Sequence, residues 1–406
     1  MALAEAAQPA DSVDNQLIPA ALPDARWFQK NGLEWFNSGD NSDYIAPRIL
    51  AITRQEMQQY HDAANRIYRM QMEAARHVST YGLWDKTGIP QAAVSLVEYS
   101  LREEAHLHLI GRYDFAGGLE GVPLRLLEFN ADTCSLLPET VQLQPEIARK
   151  LQIGTTPSWG TFDALVQSFR QLLRRYPDRE PTLLLSGIGY EEDTLNLEVV
   201  LQAARQAGFA IAQQVELPRV IFSEDEGIFV ELGPDRFQRY DFWFKMVPWD
   251  FICYEEPELL ELLDNIIRNQ LAVVINPAFT MLLQSKGLLP VMKKLFPEEP
   301  AFLEATFDVT DFHTKKPYFA KPIFGRMGEN ISAYNEYGHP IVQNDGDYGQ
   351  FPMIGQESAQ LNRDGRGYLY QPGVFYIGQA AGICFRRQDD DLIDDDAQFI
   401  AHIVEP

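Results

Sequence analysis

The sequence predicts a mixed α/β fold of two or three packed units, and three observations predict it. The chain has 406 residues, too many for one ordinary core. Its apolar pattern switches between a helical and an alternating period more than once. From about residue 150 to 245 the order helix, strand, helix, strand reads as a small parallel α/β unit. With 46% apolar and 12% aromatic residues the cores can be sizeable.

Taken in order, residues 1 to about 25 are rich in Ala, Pro and Asp and read as a loose leader. From "SDYIAPRILAITRQEMQQY" onward, Ile49, Ile52, Met57, Tyr60, Ala64, Ile67 and Met70 recur mostly at three- and four-residue steps, which predicts one helix. "PQAAVSLVEYSLREEA" predicts a second, with Pro90 near its first turn. The period then changes. "HLHLIGRYDF" and "PLRLLEFNAD" alternate, and the Gly-rich "AGGLEGVP" lies between them, so a hairpin with a long loop is expected. Residues 26–149 thus form a helical segment plus this hairpin. The 150–245 unit follows: a helix over Thr161–Tyr176, a strand "TLLLSGI", a helix "DTLNLEVVLQAARQAGF" N-capped by Asp193 or Thr194, and a strand "AIAQQVEL". A helix over Pro257–Asn269 opens the remainder, 246–406, which is mixed.

The net charge of -24 disfavours a nucleic-acid backbone as partner and is compatible with a cationic substrate. Cys134, Cys253 and Cys384 are odd in number and far apart, which fits a reduced, cytoplasmic setting. The N-terminal stretch lacks a basic start and an apolar run, so no secretory signal is expected, and no stretch of about 18 apolar residues suggests a membrane span.

The hairpin carries the chemistry. In "LRLLEFNADTCSLLPET", Glu128, Asn130 and Asp132 occupy alternate positions, which share one face of a strand. If the hairpin turns near Gly121, Asp114 lies opposite Glu128 and Arg112 opposite Asn130. Side chains so opposed are about 4.5–5.5 Å apart at Cβ. Two facing carboxylates repel unless a proton, a cation or solvent intervenes. Asp, Glu and Asn are hard oxygen donors that suit Mg²⁺ or Mn²⁺ and suit Zn²⁺ poorly. A solvated polar face is the plainer reading. Further along, "AKPIFGRMGENI" sets Lys321 and Arg326 beside Gly325 and Gly328, in a turn whose amides can cradle phosphate, although no P-loop is present. His106 and His108 share the hairpin face and read as core or rim.

Together "RYDF", "LLEFNADTCSLLPET", "LLQSKGLLPVMKKLFP", "KPIFGRMGENI" and "GICFRRQDDDLI" resemble the synthetase-domain family of glutathionylspermidine synthase and its stand-alone acid–amine ligases, which are ATP-grasp enzymes. The resemblance runs from Trp27 to the C-terminus. It implies a permuted ATP-grasp fold, with 150–245 as the pre-ATP-grasp unit and 246–406 as the nucleotide-binding region. It implies ATP-dependent joining of a small carboxylate to an amine through an acyl phosphate. Carried over by motif, Asp114, Glu128 and Asn130 hold Mg²⁺, two ions in all with Glu128 shared, and Mn²⁺ as the alternative. Lys286 and Lys321 face the nucleotide with Gly325 and Gly328, and Gln371 lies near the adenine. Arg326 sits by the transferred phosphate. Arg112 and Arg386, with Arg387 as the neighbouring alternative to the latter, hold the acid or its acyl phosphate. Glu191 and Glu192 form the acidic pair for the amine, with Asp394, Asp395 and Asp396 as further acids. "GRMGEN" and 345–349 are candidate lids. In most ATP-grasp chains the metal ligands follow the lysines; here, as in this family, they precede them. Two other readings stand beside this one: phosphoryl transfer without amine ligation, and a catalytically weak nucleotide binder acting through a partner protein.

Overall fold

The computed structural model describes residues 12–102, 107–152, 160–312, 316–389, 393, 394 and 396–405. His106, Asp395 and residues 1–11 of the leader fall outside these. The fold is mixed α/β, with four sheets among the described residues.

The largest sheet draws on both ends of the chain. Its order is β1 (Leu17–Pro19), β2 (Ile45–Ile52), β20 (Gln398–Val404), β19 (Ala380–Gln388), β18 (Leu369–Tyr376), β3 (Gly111–Ala116) and β4 (Arg125–Asn130), with β17 (Asn362–Arg363) pairing β18. Two expectations change here. Part of the expected leader is strand β1, which pairs antiparallel with β2. And "IAPRILAI", expected to open the first helix, is β2, a mostly buried strand parallel to β20. Its Ile-rich run is what a strand covered on both faces looks like, so a few helical spacings in it were coincidental. The helix starts at Arg54, where Thr53 and Glu56 form a reciprocal capping box, and runs to Tyr81. After a single turn at Trp84–Thr87, the second expected helix spans Gln91–Arg102.

The α/β unit is present as a parallel sheet in the order β11 (Val273–Ile275), β10 (Phe242–Lys245), β5 (Thr182–Gly187), β6 (Ile211–Glu216). β11 extends this sheet past the expected limit near 245. The helices Thr161–Arg175 and Glu191–Ala207 pack on each other, and the second packs on β5 and β6. It begins three residues before the expected cap, with Tyr190 at the N-cap position and Glu191, Glu192 and Asp193 in its first turn, where acids offset the positive helix end. An antiparallel meander, β7 (Val220–Ser223), β8 (Gly227–Gly233) and β9 (Arg236–Tyr240), links β6 to β10. The fourth sheet is β12 (Ala305–Thr306), β16 (Met353–Glu357), β13 (Tyr318–Pro322), β14 (Ser332–Tyr334) and β15 (Pro340–Gln343). It brings Lys321 and the loops on either side of residue 340 over the large sheet's β3–β4 end, where Gln356 donates to the Leu126 carbonyl at 3.2 Å. Among the described residues no helix is long and apolar enough to cross a membrane.

Candidate active site

The β3–β4 register is the one expected: Arg112 faces Asn130 and Asp114 faces Glu128. Next to β3, β18 places Gly373 opposite Asp114, and β19 places Arg386 opposite Gln371. Gly373 is a spatial necessity, since a Cβ there would stand 2.6 Å from Cys384 Sγ and 3.1 Å from Arg112 Cδ. The Arg112 side chain can therefore lie over Gly373 and grip Asp114, two residues along its own strand, with two bonds, Nε to Oδ1 at 2.7 Å and Nη2 to Oδ2 at 3.0 Å. Its third arm donates to the Ser135 carbonyl at 3.0 Å. Asn130 Nδ2 and Arg386 Nη2 also reach Asp114 Oδ2, at 3.2 and 3.3 Å. Arg386 further donates to Gln371 Oε1, so Gln371 belongs to this polar row on the sheet. Arg387 turns the other way, over the Tyr368 ring, and does not line the cleft. Burial works against the Arg112 charge, but Asp114 outweighs it and holds the guanidinium protonated above its usual range.

The facing wall supplies three cations. Lys286 Nζ is 3.1 Å from Glu128 Oε2 and donates to the Gly325 carbonyl at 2.8 Å. Lys321, in the middle of the fourth sheet, donates to Gln356 Oε1 at 2.7 Å. Arg326 makes a two-bond pair with Asp250 at 2.7 and 3.0 Å. Burial alone would raise the Glu128 carboxyl, but Lys286 and then Lys321 outweigh it and hold it at about 2. Burial lowers the Lys321 ammonium to about 8, against the pull of Glu128. Glu191 and Glu192 line the same cleft with Asp193, whose carboxyl burial and then Glu192 push up to about 6.

Thirteen candidate residues of the sequence reading line one cleft of about 1160 Å³: Arg112, Asp114, Glu128, Asn130, Glu191, Glu192, Lys286, Lys321, Gly325, Arg326, Gly328, Gln371 and Arg386. Asp394 does not line it; its carboxylate is tied to Gln388. His108 is buried and neutral, its ring held between Tyr68 and two backbone carbonyls, with burial driving it down to about 4.

The structure adds residues that local sequence did not mark: Asp250 under Arg326, Gln356 under Lys321, and Lys245 under Asp132. The last pair had a signal, because Lys245 ends the apolar run "FWFK" and a lysine there must find an acid. Asp132 lies past the end of β4 and turns away from the cleft. Both its oxygens accept from Lys245, at 2.8 and 2.9 Å, and Oδ2 also accepts from Trp249 N at 2.7 Å.

Among the described residues no group of three or more His, Cys, Asp or Glu could hold a metal on its own. Asp114, Glu128 and Asn130 nevertheless fit a hard cation that keeps other oxygen ligands: they are adjacent, oxygen-bearing and aimed into the cleft. Such an ion would share Asp114 Oδ2 with Arg386 and Asn130.

The two loops expected as lids are fastened to each other. Glu329 Oε2 accepts from Asp347 N at 2.8 Å and Asn330 Oδ1 from Tyr348 N at 2.7 Å. A Cβ on Gly346 would strike the Glu329 side chain, so the loops fit only with glycine there.

A family model described as glutathionylspermidine synthase preATP-grasp matches residues 18–405. A Haemophilus influenzae protein named provisionally as an acid–amine ligase is 25% identical over 391 residues, covering 92% of this chain and 95% of that one. The bifunctional glutathionylspermidine synthetase/amidase of Escherichia coli is 25% identical over 365 residues, covering 84% of this chain and 56% of that one. Trypanothione synthetase of Crithidia fasciculata is 25% identical over 299 residues, covering 70% and 45%. The chain thus spans about half the length of the latter two. Among solved structures, a glutathione synthetase like-effector from Globodera pallida aligns with a TM-score of 0.51 at 11% identity, covering 88% of this chain and 89% of that one.

Proposed function

The chain belongs to the glutathionylspermidine synthase preATP-grasp family, and from that premise we propose that it is an ATP-dependent ligase joining a small carboxylate to an amine through an acyl phosphate. The observation that carries this is one cleft in which Lys286, Lys321 and Arg326 face the Asp114–Glu128–Asn130 row, Arg112 and Arg386 flank it, and the acidic pair Glu191 and Glu192 lines the same space. A carboxylate is a poor acylating agent at neutral pH, and phosphorylation makes it one. That transfer asks for charge neutralisation and positioning more than for a covalent group.

Lys286 and Lys321 would hold the nucleotide's phosphates, and Arg326 would exchange Asp250 for the phosphoryl group in transfer. Arg112 and Arg386 would orient the acid. Glu191 and Glu192 would draw in the amine as its cation. Asp114, Glu128 and Asn130 would hold Mg²⁺, which when bound offsets phosphate charge. The interlocked loops 326–331 and 344–351 would exclude the water that hydrolyses acyl phosphates. The reaction balances with ATP, carboxylate and ammonium giving ADP, hydrogen phosphate, amide and one proton.

The test is ADP release by the purified chain with Mg²⁺ against acid and amine libraries, beginning with glutathione and spermidine, and mass detection of the amide. Turnover that needs both an acid and an amine is expected. ADP formation with an acid alone and no amide from any amine would replace this reading by phosphoryl transfer.

A further inference from the structure

The cations of the cleft are not held alike. Arg112 and Arg386 bond to Asp114, Lys286 pairs with Glu128, and Arg326 pairs with Asp250. To take a ligand's anion, each of these four has to share or give up an acid. Lys321 differs. Its one hydrogen bond among the described residues goes to a neutral group, Gln356 Oε1, at 2.7 Å. An ammonium has three donors, so two are left for a ligand.

The sheet explains how the pair is placed. Gln356 lies on β16 opposite Phe319 of β13, and Lys321 is two residues further along β13. Opposed residues share a face of a sheet, and so do residues two apart in one strand. All three line the cleft. The Lys321 side chain leans back along its strand, with Nζ 5.6 Å from the centre of the Phe319 ring. Gln356 is 2% exposed, and its Nε2 donates to the Leu126 carbonyl of β4 at 3.2 Å. That bond sets which end of the amide meets the lysine. It also fixes the ammonium relative to the strand that carries Glu128.

We propose that Gln356 is a positioning residue that holds the Lys321 ammonium in place without cancelling its charge, so that a nucleotide phosphate adds to it without displacing an acid. The inference rests on the nucleotide site of the ligase reading. The choice of side chain carries it. A carboxylate here would make the same bond as an ion pair and would set a negative charge beside the phosphates. An apolar residue would leave a buried ammonium without its acceptor. Glutamine supplies an acceptor and no charge. The charged groups acting on Lys321 are Glu128 on β4, which favours the ammonium, and Lys286, which opposes it together with burial, the largest influence.

The test is calorimetry with MgATP, no acid or amine present, on wild type, Gln356→Glu and Gln356→Met, each checked for wild-type melting. Both variants lose the donor to Leu126, so a role confined to tying the two sheets predicts equal losses. The positioning role predicts unequal ones: at neutral pH about three- to tenfold weaker binding in Gln356→Met and about ten- to a hundredfold in Gln356→Glu. Wild-type affinity should fall as pH rises through about 8. The fall should begin at lower pH in Gln356→Met, whose lysine has lost an acceptor, and at higher pH in Gln356→Glu, whose lysine has gained an anion. Should Gln356→Met melt low, Gln356→Asn, neutral and one methylene shorter, takes its place. Gln356→Glu binding as well as the neutral variant, or one pH profile for all the proteins, overturns the role of Gln356 and leaves the nucleotide site standing. No binding of MgATP by wild type defeats that site, and this inference with it.

Discussion

Lys245 and Asp132 offer the sharpest test of how the site is held. Their side chains are 0% and 1% exposed, and Lys245 Nζ gives two bonds to Asp132 and one to the Val247 carbonyl. Lys245→Met removes two charge-assisted bonds, worth about 1.5–3 kcal/mol each, and strands a buried carboxylate. A loss of about 3–5 kcal/mol is expected, and the same for Asp132→Leu, which strands the lysine. The double variant removes both charges. It leaves Trp249 N without its acceptor, so about 1–3 kcal/mol should still be lost. The coupling between the two positions should therefore be at least about 3 kcal/mol. Urea unfolding read by tryptophan fluorescence measures this locally, because the Lys245 ammonium lies 4.6 Å from the Trp249 ring. Losses that add to within about 0.5 kcal/mol would refute the reasoning. The folded double variant should still turn over poorly: Asp132 anchors the start of the helix Trp249–Glu255, and Asp250 in that helix holds Arg326.

Three further outcomes are expected. In the proposed role Lys321 would hold the nucleotide's phosphates as a cation, so ATP affinity by calorimetry should fall as pH rises through about 8, by up to roughly tenfold per unit, and should lose that dependence in Lys321→Met. Arg326→Lys loses the two-bond fork, and kcat should fall about 10²- to 10³-fold with KM for ATP little changed; wild-type kcat would remove Arg326 from the phosphoryl site. His402 is 0% exposed with neither ring nitrogen hydrogen-bonded among the described residues, and burial drives it down to about 3. A folded value below the unfolded one means that stability is intact above about pH 6.5 and lost as pH falls, by about 2 kcal/mol at pH 5, so His402→Leu should flatten the acid side of the unfolding profile.

Some of this was legible because it is local. The hairpin register followed from where the glycines fall and from the period of two, and both hold in the structure. Helices whose apolar spacing fits 3.6 residues over several turns, such as Thr161–Arg175, were found to within a residue. β2 was misread because a continuous apolar run has no period of its own. The partners of the charged residues were hidden for a different reason. Asp250 and Arg326 are 76 positions apart, and Arg386 and Asp114 are 272 apart. No window of sequence contains either pair. The large sheet takes strands from both ends of the chain, so the row Arg386–Gln371–Asp114–Glu128 exists only once β18 and β19 lie against β3. Motif resemblance could assemble the residue set, because it compares whole chains, but it could not say what each cation rests on.

The alternation Glu128, Asn130, Asp132 shows how far a strand pattern carries. Strand geometry predicts that all three side chains share a face, and for the first two this holds, since both line the cleft. β4 stops at Asn130, and beyond it the period of two no longer applies. Asp132 instead turns inward, to Lys245, Trp249 N and the Thr280 hydroxyl, while Asn276 takes its carbonyl and Gln284 its amide. Those partners come from the ends of β10 and β11 and from the helices on either side of them. A single residue thereby joins the strand bearing Glu128 and Asn130 to the helix bearing Asp250 and to the segment leading to Lys286. In a site whose chemistry is charge placed against charge, that internal tie fixes the separation between the two walls, and it explains why an acid costly to bury stands two residues from the cleft rather than in it.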